Sequence, residues 1–414
     1  MTLFIGVDWG KKKSAFAWGE PGRPGQRPKK KVVPTRFSPL TAFFGSLPEA
    51  ESQVAVIESG CEFLARLLHH QGITTYVVDA QQANHFRESL RSSGAKTDPV
   101  DAADLWHMAQ SPAHLHVPYE EVDEDGQALR ALLRALDTAI GERTRASNRV
   151  RSLLQEQMPD LEQVLSKLST GYVRALLRWV PTAWHASRVS REDFDAFVKG
   201  KRVGRKQRES LFAALSVCGG YPWSKNEQAA KAQARRLRCL LESLELHLGH
   251  EKELESELES LCASQPGAVA ARKIPGIGAR LSASFAVLFT ASMQRQAEQS
   301  RHGRDFISLV AGTSPVTVHS GEGHRKVIRR RARDKRLNHA LYLASLQALR
   351  HLGWARAKFD YGRRRDRRAG ALLRELGRSL LRLVQALVRD GSSYDDARYV
   401  ACLKARGVPW AQSL

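Results

Sequence analysis

Four carboxylates and one hydroxyl are the side chains whose type and spacing suggest chemistry. Asp8 ends a short apolar run, Leu3–Trp9, and is flanked by Gly6 and Gly10. Glu58 stands at the end of a second apolar, β-branched run, Gln53–Ser59. Asp98 and Asp101 are three apart in Lys96-Thr97-Asp98-Pro99-Val100-Asp101-Ala102, a spacing that puts both on one face of a helix. Hard oxygen donors gathered in one pocket repel one another unless a divalent cation sits among them. One or two Mg²⁺ ions, about 4 Å apart when paired, activate an attacking oxygen and stabilise the leaving oxygen of a phosphodiester. A plain reading stands beside this one. Strand-end acids are often solvated turn residues, and Asp98 as N-cap, Pro99 at the first position and Asp101 near the positive end of the dipole make a good helix start. Asp104 falls near the same face and is expected to be an accessory or exposed acid.

The hydroxyl is Ser320, between His319 and Gly321 in the small-residue segment 313–323. Arg325, Lys326, Arg329 and Arg330 follow closely enough to clamp a phosphate beside an exposed nucleophile, with Arg333, Lys335 and Arg336 just beyond. By composition alone the segment is a flexible turn. Pro275-Gly276-Ile277-Gly278, ahead of an apolar helix, resembles a helix-hairpin-helix turn. There Gly276 and Gly278 would let backbone N–H groups approach a DNA phosphate. Lys11, Lys12 and Lys96 are further candidate nucleic-acid contacts beside the acids.

These residues need elements to position them. The first 115 residues alternate strand and helix patterns. Strands are expected at Leu3–Trp9, Ser14–Trp18, Lys31–Phe37, Gln53–Ser59 and Thr74–Val78, and helices at Leu40–Gly45, Glu62–His70 and Ala83–Arg91. Three hairpin-like strands followed by strand–helix alternation give a mixed sheet flanked by helices. In a ribonuclease H-like sheet the first and fourth strands are neighbours, so Asp8 and Glu58 would converge. Residues 125–158 and 226–262 read as long helices with leucine stripes, a helical hairpin or coiled coil, although the register slips between Leu248 and Leu254. Between them, 163–223 is expected to be a small helical insertion. The last third continues through apolar helices at Leu281–Phe289, Leu337–Leu352 and Leu372–Val388.

Charge sharpens the picture. The 414 residues carry a net charge of +22. Residues 1–119 hold 13 Lys/Arg against 11 Asp/Glu, residues 120–262 hold 23 against 22, and residues 263–414 hold 29 against 10. The excess therefore lies in the last third, a surface suited to a polyanion and favouring nucleic acid over anionic lipid. No run of about 18 apolar residues offers a membrane span. The start meets an acid at once and does not read as a signal peptide. Five scattered cysteines form no metal spacing and no disulfide framework, which fits a reducing cytoplasm.

Taken in order, the early Gly-x-Asp, Glu58, Lys-Thr-Asp-x-x-Asp-Ala at 96–102, Ile-Pro-Gly-Ile-Gly and the late Ser-Gly loop resemble the insertion sequence 110 family of DEDD transposases, the bridge-RNA-guided recombinases. The resemblance implies an α/β N-terminal ribonuclease H/RuvC-like domain (1–118), a helical coiled-coil region (119–262) and a mainly α C-terminal transposase domain (263–414). It implies that Asp8, Glu58, Asp98 and Asp101 bind Mg²⁺ and that Ser320 attacks the DNA backbone. It further implies donor and target DNA and a guide (bridge) RNA as partners, a homodimer assembling to a tetramer with a composite active site, no membrane, and a cytoplasmic, nucleoid-associated place in a prokaryote. The alternative is a RuvC-like metal-dependent junction endonuclease that uses water.

Overall fold

The computed structural model describes residues 1–21, 27–90, 97–111, 117–300, 305–318, 326–331 and 333–414. It resolves into two compact units, one made of residues 1–128 and 262–414, the other of 129–261.

The first unit begins with β1 (Thr2–Asp8), β2 (Lys13–Gly19), β3 (Lys29–Pro34), α1 (Phe37–Gly45), β4 (Ser52–Glu58), α2 (Glu62–His70), β5 (Thr74–Val78), α3 (Ala80–Leu90) and α4 (Asp98–Ala109). The five strands form one sheet in the order β3-β2-β1-β4-β5. The β1–β2 and β2–β3 pairs are antiparallel, and β1, β4 and β5 are parallel. Period-two alternation sorts the side chains. Leu3, Ile5, Val7, Phe16, Ala55 and Ile57 face α1 and α2, where Phe16 packs on Phe43 with ring centroids 4.6 Å apart. On the other face, Val56 and Val78 meet Phe86, Leu105 and Met108, while Ala15 and Ala17 meet Trp106. Each large side chain so buried contributes about 1.5–3 kcal/mol.

Two boundaries differ from expectation for local reasons. β3 stops at Pro34 because the chain turns there: Thr35 makes the last bond to the Lys12 carbonyl, and the Arg36 N–H then folds back to the Pro34 carbonyl at 2.8 Å. α3 starts three residues early because the Asp79 carboxylate accepts the N–H groups of Gln81 and Gln82, both at 2.9 Å.

The second unit takes most of α5 (Glu124–Gln157), then α6 (Pro159–Val164), α7 (Gly171–Trp179), α8 (Ala183–Ala186), α9 (Arg191–Val198), α10 (Arg205–Gly219) and α11 (Glu227–Cys262). Arg143 pairs with Glu251 at 3.0 Å and Glu156 with Arg236 at 3.5 Å, so α5 and α11 run antiparallel. α11 is unbroken through the expected register slip. Helices α6–α10 share a single core with Val150 and Leu154 of α5 and with Leu237, Leu241 and Leu244 of α11.

The first unit resumes with α12 (Pro266–Arg272), α13 (Ala279–Leu288), α14 (Ala291–Gln299), α15 (Phe306–Val310), β6 (Pro315–Val318), β7 (Lys326–Arg329), α16 (Lys335–His351), α17 (Gly353–Arg363), α18 (Ala369–Asp390) and α19 (Asp396–Ala405). The strands were not expected from the basic composition. Strands β6 and β7 pair antiparallel, with Val318 opposite Lys326. The connector before α5 and the first turn of α5 tie the two parts of this unit together: Asp123 accepts the Ser292 N–H at 3.2 Å, and Asp125 accepts from Gln265 at 2.8 Å. No described helix is long and apolar enough to cross a membrane.

Candidate active site and basic pocket

Asp8 and Glu58 end adjacent parallel strands. Val7 is in register with Ile57, so the two acids occupy the next step, at the same edge of the sheet. Both follow the even-numbered pleat of Gly6 and Val56 and therefore share the face that α4 covers. Gly6 explains how α4 gets so close. A Cβ there would lie 2.0 Å from the Ala102 carbonyl oxygen and 2.2 Å from the Trp106 nitrogen. Further down the sheet, Trp106 Nε1 donates to the Gly19 carbonyl at 3.3 Å, and Gly19 is the register partner of Phe4. α4 thus runs opposite to β1, and its first turn, with Asp98, heads toward the edge where Asp8 stands. Asp98 is exposed, and Asp8 and Glu58 are half-buried.

Helix α4 begins one residue earlier than expected. Thr97 is the N-cap, Asp98 the first helical residue and Pro99 the second. Asp101 is buried and turned toward Arg87 of α3, whose Nε lies 3.2 Å from its Oδ1. Asp104, expected to be accessory or exposed, is also buried, 3.7 Å from the same nitrogen. An exposed position was the wrong expectation because α3 covers this face of α4 and supplies the cation that makes burial tolerable. Asp101 Oδ1 and Arg87 Nε are both buried and face each other without the alignment of a hydrogen bond, so charge rather than directionality holds them. Arg87 was missed in the sequence because nothing local marks it. Only the packing of α3 on α4 brings it to two acids.

The acids fit a hard divalent cation in kind, since all four offer oxygen, and Asp101 Oδ1 is a buried carboxylate oxygen without a hydrogen bond. The sheet edge gathers Asp8, Glu58 and the start of α4, but the side chains are not drawn into a cage. Among the described residues, no three His, Cys, Asp or Glu groups converge closely enough to hold a metal ion.

Ser320, Lys96 and Arg325 lie outside the described residues. By chain order Ser320 belongs to the connection between β6 and β7. Arg330, just after β7, lines a cavity of about 730 Å³ with Ser59, Asp79, Gln82 and His85. Ser59 follows Glu58, so the basic segment after the serine loop comes to the same end of the sheet as the acids. Lys11 and Lys12 are exposed in the β1–β2 turn, also at that end.

The rest of the basic set divides. Arg329, Arg333 and Lys335 line a second cavity, of about 440 Å³, between α16 and α18, and Arg374 of α18 joins them. Arg336 is exposed at the start of α16, and Lys326 lies on β7. Arg374 was not singled out in the sequence, where it sits in an ordinary amphipathic helix. Gly276 has φ +86°, and a Cβ would lie 2.6 Å from the His351 ring, so this glycine serves the close approach of the α12–α13 turn to α16. Gly278, the N-cap of α13, faces open space and stays available to a ligand.

Comparison with known proteins adds two matches that bracket this arrangement. A DEDD transposase model of the IS110 type matches residues 5–159, and a model described as transposase, IS116/IS110/IS902 family, matches residues 269–360. The chain is 26% identical to a 43.6 kDa insertion element IS110 protein of Streptomyces coelicolor, covering 73% of this chain and 72% of the relative. It is 24% identical, over 88% of each chain, to a mini-circle protein of the same organism named as a candidate transposase for IS117. It is also 24% identical, over 83% of each chain, to a 42 kDa protein of insertion element IS900 from Mycobacterium paratuberculosis.

Proposed function

This chain belongs to the insertion sequence 110 family of transposases, enzymes of DNA transposition, and from that premise we propose that it cuts and exchanges DNA strands through a serine-linked intermediate guided by RNA. The observation that carries the reading is the placement of the two family matches. One spans Asp8, Glu58, Asp98 and Asp101, and the other spans Ser320. The sheet order, an antiparallel meander followed by parallel β1, β4 and β5, supports a ribonuclease H/RuvC-like N-terminal domain over 1–118. The helical region 119–262 and the transposase domain 263–414 follow.

Asp8, Glu58, Asp98 and Asp101 would hold one or two Mg²⁺ ions, which when bound polarise a scissile phosphate and ease attack by a hydroxyl. The chain's own groups do the rest. The Ser320 oxygen attacks phosphorus, its proton leaves, and one deoxyribose oxygen departs. The phosphodiester becomes a phosphoserine link of similar energy, with no water consumed. A free DNA hydroxyl from the other duplex then attacks that link, releases Ser320 and joins the exchanged strand. Arg329 and Arg330 neutralise backbone phosphates near this step. The strong charge of 263–414 holds donor and target DNA and the guide RNA by their backbones, and base pairing chooses the sequence. A homodimer joined through the α5–α11 region and assembling to a tetramer would let the serine of one subunit serve the acids of another. A cytoplasmic, nucleoid-associated protein fits these partners.

A denaturing gel tests the proposal. The wild type with Mg²⁺ and its element's DNA yields a protein–DNA adduct that survives SDS, and Ser320→Ala yields none while still binding DNA. Clean nicks without an adduct would instead point to a water-using junction endonuclease. RNA that co-purifies with the protein should match sequence flanking its gene, and ribonuclease treatment should abolish site choice.

A further inference from the structure

We propose that the cavity between α16 and α18 seats one phosphodiester of the DNA strand, with Arg374 as the cation that grips it and the His339–Tyr342 pair as a platform for the attached nucleotide. The inference rests on the serine-transposase reading for its choice of DNA, because Arg329 ends β7, nine residues after Ser320 in the chain.

The cavity, about 440 Å³, is lined by Arg329, Arg333, Lys335 and Arg374 and, among the described residues, by no carboxylate. Its size suits a small ligand. The four cations are not equally engaged. Arg333 is anchored by neutral oxygens: its Nε donates to Asn338 Oδ1 at 3.2 Å and its Nη1 to the Arg330 carbonyl at 2.6 Å. Arg329 and Arg374 have no carboxylate partner among the described residues. Burial, then the nearby charges of Arg329 and Arg333, push the Arg374 guanidinium below its ordinary pKa, and burial and Arg329 do the same to Arg333. Like charges crowded in a half-buried pocket raise the free energy of the empty protein, and an anion relieves that cost.

Two features point to a nucleotide rather than a bare anion. His339 and Tyr342, one turn apart on α16, lie nearly parallel at 18° with ring centroids 6.4 Å apart, and both line the cavity. Tyr342 is 45% exposed, so its face is open to a base. The rim at Gly370 is unobstructed, since a Cβ there would meet nothing nearer than Arg374 Nη1 at 3.8 Å.

The test uses the full chain and a fluorescein-labelled oligothymidylate of roughly ten nucleotides. Affinity is read by anisotropy between about 50 and 200 mM salt. Arg374→Gln should weaken binding about tenfold and lower the salt slope by about 1. Arg374→Lys should keep the slope. Tyr342→Ala, at an exposed site that cannot collapse the core, should weaken binding roughly fivefold or more with the slope unchanged. Arg389→Gln, whose charge is already paired with Asp390 at 2.8 Å, should match the wild type. Wild-type affinity and slope in both Arg374→Gln and Tyr342→Ala would overturn the proposal. So would a loss seen only with a labelled oligouridylate of the same length and not with the oligothymidylate, or inorganic phosphate raising the wild-type Tm while oligonucleotide binding ignores both variants. If Arg374→Gln loses its helical signal, Tyr342→Ala decides alone. The readout is binding, not cutting: if the wild type never forms a serine adduct yet Arg374→Gln binds weakly, the transposition chemistry fails and the pocket stands.

Discussion

At the scale of single residues, Gly6 and Arg87 decide whether the acids can share one end of the sheet. Gly6→Ala forces a methyl into the α4 backbone, and small-to-large changes in a packed core cost about 1–3 kcal/mol. We expect a lower urea midpoint with m unchanged, and loss of activity beyond what the stability loss explains, because α4 must move off β1. Arg87→Ala removes the guanidinium that faces the buried Asp101 and Asp104. Breaking such a pair by removing one partner costs about 3–5 kcal/mol. If Asp101 takes part in binding Mg²⁺, the ion should raise the Tm of Arg87→Ala more than that of the wild type. An equal rise in both would remove Asp101 from the metal set.

At the scale of elements, the helical unit gives the clearest tests. Leu241 of α11 is fully buried in the core shared with α7–α10, so Leu241→Ala should cost about 2–5 kcal/mol by equilibrium denaturation. His185 of α8 reports through pH. Burial first, then Arg188, hold its pKa below 6.5, while Thr182 Oγ1 lies 2.8 Å from its Nδ1. A depressed histidine binds fewer protons folded than unfolded, so stability is complete above the unfolded value and falls as pH drops below about 6.5 toward the folded pKa. His185→Gln should flatten the Tm–pH curve over that window. An unchanged slope would assign the acid sensitivity to other groups.

At the scale of the whole molecule, charge dominates. Residues 263–414 hold 29 Lys/Arg against 10 Asp/Glu, so DNA affinity should fall steeply with salt. A protein that neutralises 6–10 phosphates loses roughly 10³–10⁵ in affinity between 50 and 200 mM. A shallow slope would show that the basic third does not carry the nucleic acid.

Much of this was legible beforehand, and the reason differs by level. Strand and helix identity, the two long helices and the charge gradient follow from periodicity and composition, which are local. The acids could be proposed as a set because Asp8 beside Gly6, Glu58 and the Asp98–Asp101 pair carry their signals within a few residues. What the chain order alone could not say is which elements pack. The arginine between Asp101 and Asp104, the burial of Asp104, the use of Gly276 by α16 and the joining of Arg374 to Arg329 all come from side chains far apart in sequence. Their effect depends on desolvation, which begins only when α3 covers α4 and α18 covers α16. The sequence by itself determined the chemical inventory and the elements that bear it. Tertiary structure alone decided which charges are stripped of water together, because the free energy of a charge depends on what surrounds it and not on its place in the chain.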